Sequence, residues 1–130
     1  MQADRPAAPP GPFVEVLAMV DSGAFRTCLP KQIAYDLGIG DDELIEDPDG
    51  GTGVGSAFRF WTTTISIRAG IGLFAPAPDG STQPWGPGFA LDPAFTETDA
   101  FLLGRADFFR AFKVSFAEEA DGSVFYLDRD

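Results

Sequence analysis

A chain of 130 residues with 45% hydrophobic content can bury one core and is short for two. Its formal net charge of −11, with no cluster of Lys or Arg anywhere along it, excludes the basic surface that nucleic-acid binding requires. With no histidine and a single cysteine, Cys28, the chain cannot build Ser-His-Asp or Cys-His catalysis, an intrachain disulfide or the usual zinc sites, so any hydrolytic chemistry must run on carboxylates.

Fifteen glycines, eleven prolines and thirteen phenylalanines favour short strands and turns over long helices, which predicts a mostly β fold. Residues 1–12 read as a proline-rich N-terminal tail, because Pro6, Pro9, Pro10 and Pro12 leave few backbone donors for a sheet. Residues 13–130 form the single domain. Residues 13–20, Phe-Val-Glu-Val-Leu-Ala-Met-Val, predict a strand that turns continuously apolar as it enters a core. It ends on Asp21, Ser22, Gly23 and Ala24. A buried strand ending in a carboxylate needs a partner for the charge, since an unpaired charge is costly to desolvate. Ser22 offers a hydroxyl and Gly23 permits close approach of another backbone. Asp-Ser-Gly is equally good chemistry for an ordinary turn, and by itself the stretch leaves both readings open.

Residues 27–29 predict a second strand. Residues 30–37 predict a helix with Pro30 at its first position, Gly38 just past its end, and Ile33, Ala34 and Leu37 on one face. Residues 41–49 are acidic and turn-rich; Pro48 and Gly51 fall where a calcium loop needs other residues, so a solvated loop is expected. The glycine-rich residues 50–56 lead into a predicted strand at 57–68, whereas a phosphate cradle leads into a helix, so they form a hairpin tip. In that strand Phe58 and Phe60 lie on one side, and Trp61, Ile65 and Ile67 on the other. Residues 69–99, cut by Pro76, Pro78, Pro84, Pro87 and Pro93, predict a long, partly ordered insertion. Residues 101–104 predict a buried strand, 105–112 a short helix, and 113–117 with 124–127 a hairpin around Asp121 and Gly122. The chain shows neither an apolar run of about eighteen residues nor a signal-peptide pattern, so no membrane partner and a cytoplasmic location are expected.

Taken in order, two apolar residues before Asp21, Ser22, Gly23 and Ala24, then Thr27, Leu29, Pro30, a helix ending at Leu37 and Gly38, Gly53-Val54-Gly55, and Leu102-Leu103-Gly104-Arg105 ahead of a helix resemble a retropepsin-like aspartic protease. The resemblance covers residues 13–127 apart from the proline-rich insertion. It implies a retropepsin-like acid protease half-barrel with one or two short helices, assembled as a homodimer whose active site forms on the two-fold axis. It further implies that Asp21 is the catalytic acid, that Ser22, Gly23 and Ala24 support it, and that Gly53, Val54 and Gly55 form a flap over an extended peptide or protein substrate. No metal and no other cofactor is implied. The activity implied is that of an aspartic endopeptidase; a weakly active or inactive module for dimerisation or peptide binding is the alternative, and a plain structural β domain a third reading. Three features depart from the family. Its usual hairpin ahead of the catalytic strand has little room here, Phe25 stands where many viral members carry an acid that pairs with the arginine matching Arg105, and the proline-rich start is a poor donor for interleaved terminal strands.

Overall fold

Leu29 to Ile39 and Leu91 to Phe95 supply most of the buried apolar side chains among the described residues. The computed structural model describes residues 1–5, 11–53, 56–73, 79, 83–119 and 122–129. In chain order these form β1 (Gln2–Asp4), β2 (Met19–Val20), β3 (Cys28–Pro30), α1 (Lys31–Asp36), a 3-10 turn (Asp41–Glu43), β4 (Ile45–Glu46), β5 (Gly51–Gly53), β6 (Ser56–Phe58), β7 (Phe60–Thr62), β8 (Ser66–Leu73), β9 (Gln83–Leu91), β10 (Ala94–Thr96), β11 (Leu102–Leu103), α2 (Phe108–Ala111), β12 (Phe112–Glu119) and β13 (Gly122–Arg129). The fold is mostly β, with open sheets. One six-stranded sheet has the order β2-β11-β3-β10-β7-β4, a three-stranded sheet the order β1-β8-β9, and β5-β6 and β12-β13 are hairpins.

Helix α1 buries Ile33, Ala34 and the following Leu37, as their spacing predicts, in one cluster with Leu29 of β3 and Phe95 of β10. Those two residues are partners in the parallel β3-β10 pair, and Ala3, Ile39, Ile67 and Leu91 complete the cluster. Pro30 precedes the helix in extended backbone (φ −57°, ψ 143°), one position earlier than expected. Gly38 ends it with φ +83°, a left-handed conformation that glycine adopts without a Cβ penalty. A second cluster is aromatic. Phe89 meets Phe108 and Phe112 edge-on at 6.0 and 5.3 Å, which ties α2 and β12 to β9.

The start of the chain is not a loose tail. Strand β1 pairs antiparallel with β8, and Ala3 is fully buried. On its other side the Ala3 carbonyl accepts from Gly11 N at 3.1 Å and the Met1 carbonyl from Val14 N at 2.8 Å. The four residues ahead of Arg5 keep all their backbone donors, and the prolines that suggested a tail come after them; residues 6–10 lie outside the described residues. This return of residues 11–14 onto β1 provides a hairpin-like pairing ahead of Asp21, for which the sequence left little room.

Arg5 braces the same region by donating to both carboxylate oxygens of Glu43 and to the Gly38 carbonyl. The guanidinium, helped by Gly40 N–H, pulls the Glu43 carboxyl from 4.5 to about 2. A carboxylate lowered in the folded state stabilises fully above its unfolded pKa, and its contribution is lost as pH falls through the folded one. Arg5→Ala should therefore lower the melting temperature at neutral pH, and the gap from wild type should close between pH 4.5 and 2. Thermal melts across that range check this, and a gap that persists unchanged at pH 2 refutes it.

Residues 13–20 do not form one buried strand. Only Met19 and Val20 pair, and the segment alternates: Val14 and Val16 pack against the core while Phe13 and Met19, both 65% exposed, and Leu17, 81% exposed, face outward. Strand β2 has one neighbour because it is the sheet edge, so only one parity is covered. The predicted strand at 57–68 is broken: Thr63 Oγ1 accepts from Ile65 N at 3.1 Å, and the turn sends β7 and β8 into different sheets. Residues 69–99, expected as a long, partly ordered insertion, carry strands of two sheets. Strands β8 and β9 pair with a register shift between Ala69 and Ile71, and Pro84 and Pro87 are tolerated because β9 is an edge strand. Ala94, Phe95 and Thr96 of β10 are buried inside the large sheet; residues 74–78 and 80–82 lie outside the described residues. The helix predicted at 105–112 shrinks to α2. The final hairpin is longer than expected, running from the Phe112–Arg129 pair to Glu119–Gly122, with Asp121 outside the described residues. Among the described residues no helix is long and apolar enough to cross a membrane.

Candidate active site

The position of Asp21 follows from where β11 runs. This strand lies between β2 and β3, parallel to the first (Leu102 with Met19, Leu103 with Val20) and antiparallel to the second (Leu102 with Cys28). The loop from residue 21 to 27 therefore leaves β2, passes the end of β11 and returns as β3. Its backbone is bonded on both flanks: Asp21 N donates to the Leu103 carbonyl at 3.0 Å, Arg105 N to that of Ala24 at 3.0 Å, and Ala106 N to that of Phe25 at 2.8 Å. Within the loop, Ala24 N donates to the Asp21 carbonyl at 3.1 Å and closes a turn.

Asp21 is a half-buried residue, and its Oδ1 accepts from Gly23 N at 2.8 Å in an exposed bond. The partner its charge requires is thus an N–H of its own turn. A Cβ on Gly23 would stand 3.1 Å from that oxygen, so the glycine gives the carboxylate its seat. Ser22 and Gly23 are exposed and Ala24 is half-buried. The second carboxylate oxygen accepts no donor among the described residues.

Two side chains hold this loop from the protein side. Thr27, fully buried, accepts from Gly104 N at 3.1 Å and donates its hydroxyl to Asp107 Oδ1 at 2.5 Å. Asp107 Oδ1 also caps α2 by accepting from Phe108 N at 2.7 Å, and Oδ2 accepts from Asp92 N at 3.0 Å. One buried carboxylate thereby joins the start of β3, the turn into β10 and the first turn of α2. Sequence reasoning passed over Asp107, although an aspartate directly ahead of a short helical run is an N-cap signal. Gly104 has no space for a side chain: a Cβ there would lie 2.4 Å from the Arg26 carbonyl carbon and 2.7 Å from Thr27 N.

Phe25 is 63% exposed, and the Arg105 guanidinium carbon lies over its ring, 5.8 Å from the centroid, a cation–π contact. Cys28, half-buried beside the loop, donates its thiol to the Arg26 carbonyl at 3.6 Å. Burial pushes this thiol up, and the Asp21 and Asp107 carboxylates add to the shift, so it is a poor thiolate nucleophile.

The glycine-rich segment forms the β5-β6 hairpin, in which Gly51, Thr52 and Gly53 pair with Phe58, Ala57 and Ser56. Thr52, Gly53, Ser56 and Ala57 are exposed; Val54 and Gly55 lie outside the described residues. The Phe58 ring covers Gly51, where a Cβ would meet it at 2.6 Å. Among the described residues the hydrogen bonds of the Asp21 turn run to residues 103–106 and none runs to the hairpin, so the expected acid and expected flap are separate structural units within one chain. Comparison with protein-family models, with curated proteins and with solved structures gives no match, and the site is read from its own residues.

Proposed function

We propose that the chain is one subunit of a homodimeric aspartic endopeptidase with a retropepsin-like half-barrel. The observation that supports this best is the presentation of Asp21 on a loop that wraps the end of β11 and is locked through Gly104, Thr27 and Asp107. One chain offers one such carboxylate, so the site is completed by a second copy. Across a two-fold axis the two Asp21 carboxyls share a proton, because like charges at close range do not both ionise readily. The ionised carboxyl takes a proton from water, the water oxygen attacks the peptide carbonyl carbon, and the protonated carboxyl gives its proton to the carbonyl oxygen. Collapse of the tetrahedral intermediate breaks the C–N bond: the proton taken from water passes to the leaving nitrogen, and the carboxylate that gave its proton takes one back from a hydroxyl of the intermediate. Gly23 N–H keeps one carboxylate oxygen oriented throughout, and the β5-β6 hairpin closes over the peptide and excludes water.

Strand β1 is occupied on both sides within its own chain, which removes it as a strand for exchange between subunits. The dimer carries −22, twice −11, so association should strengthen at acidic pH and at higher salt. Sedimentation combined with an assay on an extended apolar peptide tests the proposal. A dimer that cleaves the peptide is expected. A monomer at high concentration and acidic pH, with no cleavage, refutes it, and a dimer that binds without cleaving assigns the chain to the binding-module alternative.

A further inference from the structure

We propose that Arg105, stacked on Phe25 beside the Asp21 turn, selects peptides that carry a carboxylate a few residues from the bond to be cleaved. This rests on the peptidase reading of Asp21.

The chain has 20 acidic and 9 basic residues, so carboxylate partners are plentiful. Arg5 pairs with Glu43, Arg26 with Asp92, Lys31 with Asp41, and Arg59 with Glu46 and Glu97. Among the cations lacking an ion pair within the described residues, Arg105 is the one whose backbone is bonded to the Asp21 turn, through Ala24. It is exposed, and its guanidinium lies over Phe25 at 5.8 Å. An aspartate at position 25 would neutralise it; a phenylalanine offers its charge a ring face and no acceptor oxygen. A guanidinium matches a carboxylate in planar, two-bonded geometry.

The spacing suits an extended peptide. The closed turn holds the Asp21 and Ala24 Cα atoms within about 7 Å. The backbone bond holds the Arg105 Cα about 5 Å from that of Ala24. A strand advances about 3.3 Å per residue, so a carboxylate roughly two to four residues from the scissile bond falls within reach. Because the rest of the molecule is acidic, the contact governs where an acidic peptide sits more than how tightly it binds.

The test uses the full chain carrying Asp21→Asn, so that binding is read without turnover, with fluorescence anisotropy of extended apolar peptides. Each peptide carries Glu or Gln at the chosen position and ends in a free or an amidated C-terminus. Glu peptides should bind about threefold more tightly than their Gln partners. Adding Arg105→Gln should erase the difference, Arg105→Lys should keep part of it, and Arg105→Glu should reverse it. A preference that follows amidation instead of the Glu side chain, and is lost in Arg105→Gln, assigns the carboxylate to the end of the chain. Equal binding of all peptides, no binding of any, or a Glu preference untouched by Arg105→Gln overturns the proposal. So does a variant that dissociates the dimer while the peptide preference persists, which would make Arg105 a subunit brace. Cleavage by protein with Asp21 intact reports on the peptidase separately: no turnover alongside an Arg105-dependent Glu preference removes the peptidase reading and keeps the selection.

Discussion

Asp21→Asn is expected to abolish cleavage of an extended apolar peptide, by a factor of about a thousand or more, while the dimer persists. General acid–base catalysis contributes about 10²–10⁴-fold, and in the proposed dimer this one substitution would remove the base and the acid together, both coming from the same position in the two copies. The asparagine keeps the shape of the aspartate, and its amide oxygen can still accept from Gly23 N, a bond of 2.8 Å in the structure, so the loop has no reason to move. The assay belongs in mild acid, where less charge opposes association. The brace at the N-terminal strand tolerates those conditions, since Glu43, held at about 2, remains ionised there. Peptide cleavage by both proteins decides the matter: equal activity in Asp21→Asn sinks the peptidase reading.

Among the described glycines, Gly104→Ala is expected to be the most damaging substitution by alanine. Its Cβ would sit 2.4 Å from the Arg26 carbonyl carbon and 2.7 Å from Thr27 N, both backbone atoms that cannot rotate aside. Relief requires β11 and the 21–27 loop to separate, which breaks the bond from Gly104 N to Thr27 and strains those from Arg105 and Ala106. Overpacking typically costs about 1–3 kcal/mol, and more where backbone must yield. Asp107→Ala should be comparably severe: it removes a helix cap worth about 1 kcal/mol. It also leaves the buried Thr27 hydroxyl without its acceptor, at about 1–3 kcal/mol. Either loss is a large part of a total stability of about 5–15 kcal/mol. Gly53→Ala is the control, because its Cβ would lie 3.6 Å from the Phe58 ring, an ordinary contact. Urea midpoints compare the three, and a Gly104→Ala protein within about 0.5 kcal/mol of wild type would show that the loop and β11 are not locked as described.

What the residues determined by themselves is local. The apolar spacing of Ile33, Ala34 and Leu37 between Pro30 and Gly38 specifies α1, since side-chain periodicity and end residues act within a few positions. The final hairpin and the turn at Asp21 were legible for the same reason, and abundant short apolar runs between glycines and prolines determined the mostly β class. Only the tertiary structure decided which strands meet. Nothing in Leu102 and Leu103 announces that they will lie between β2 and β3, because that pairing joins segments far apart in sequence and depends on an open edge at each. The same limit hid β1, whose three residues are too few to show a period and are held by the edge of β8. It hid the order in residues 69–99, where prolines break a central strand but not the edge strand β9. It made residues 13–20 look buried, since an apolar run cannot tell an interior strand from an edge that leaves Leu17 and Met19 in water. Asp107 shows both sides of the division: its role as a helix cap is written in its neighbours, while its bonds to Thr27 and Asp92 exist only because the fold brings three distant segments to one buried carboxylate.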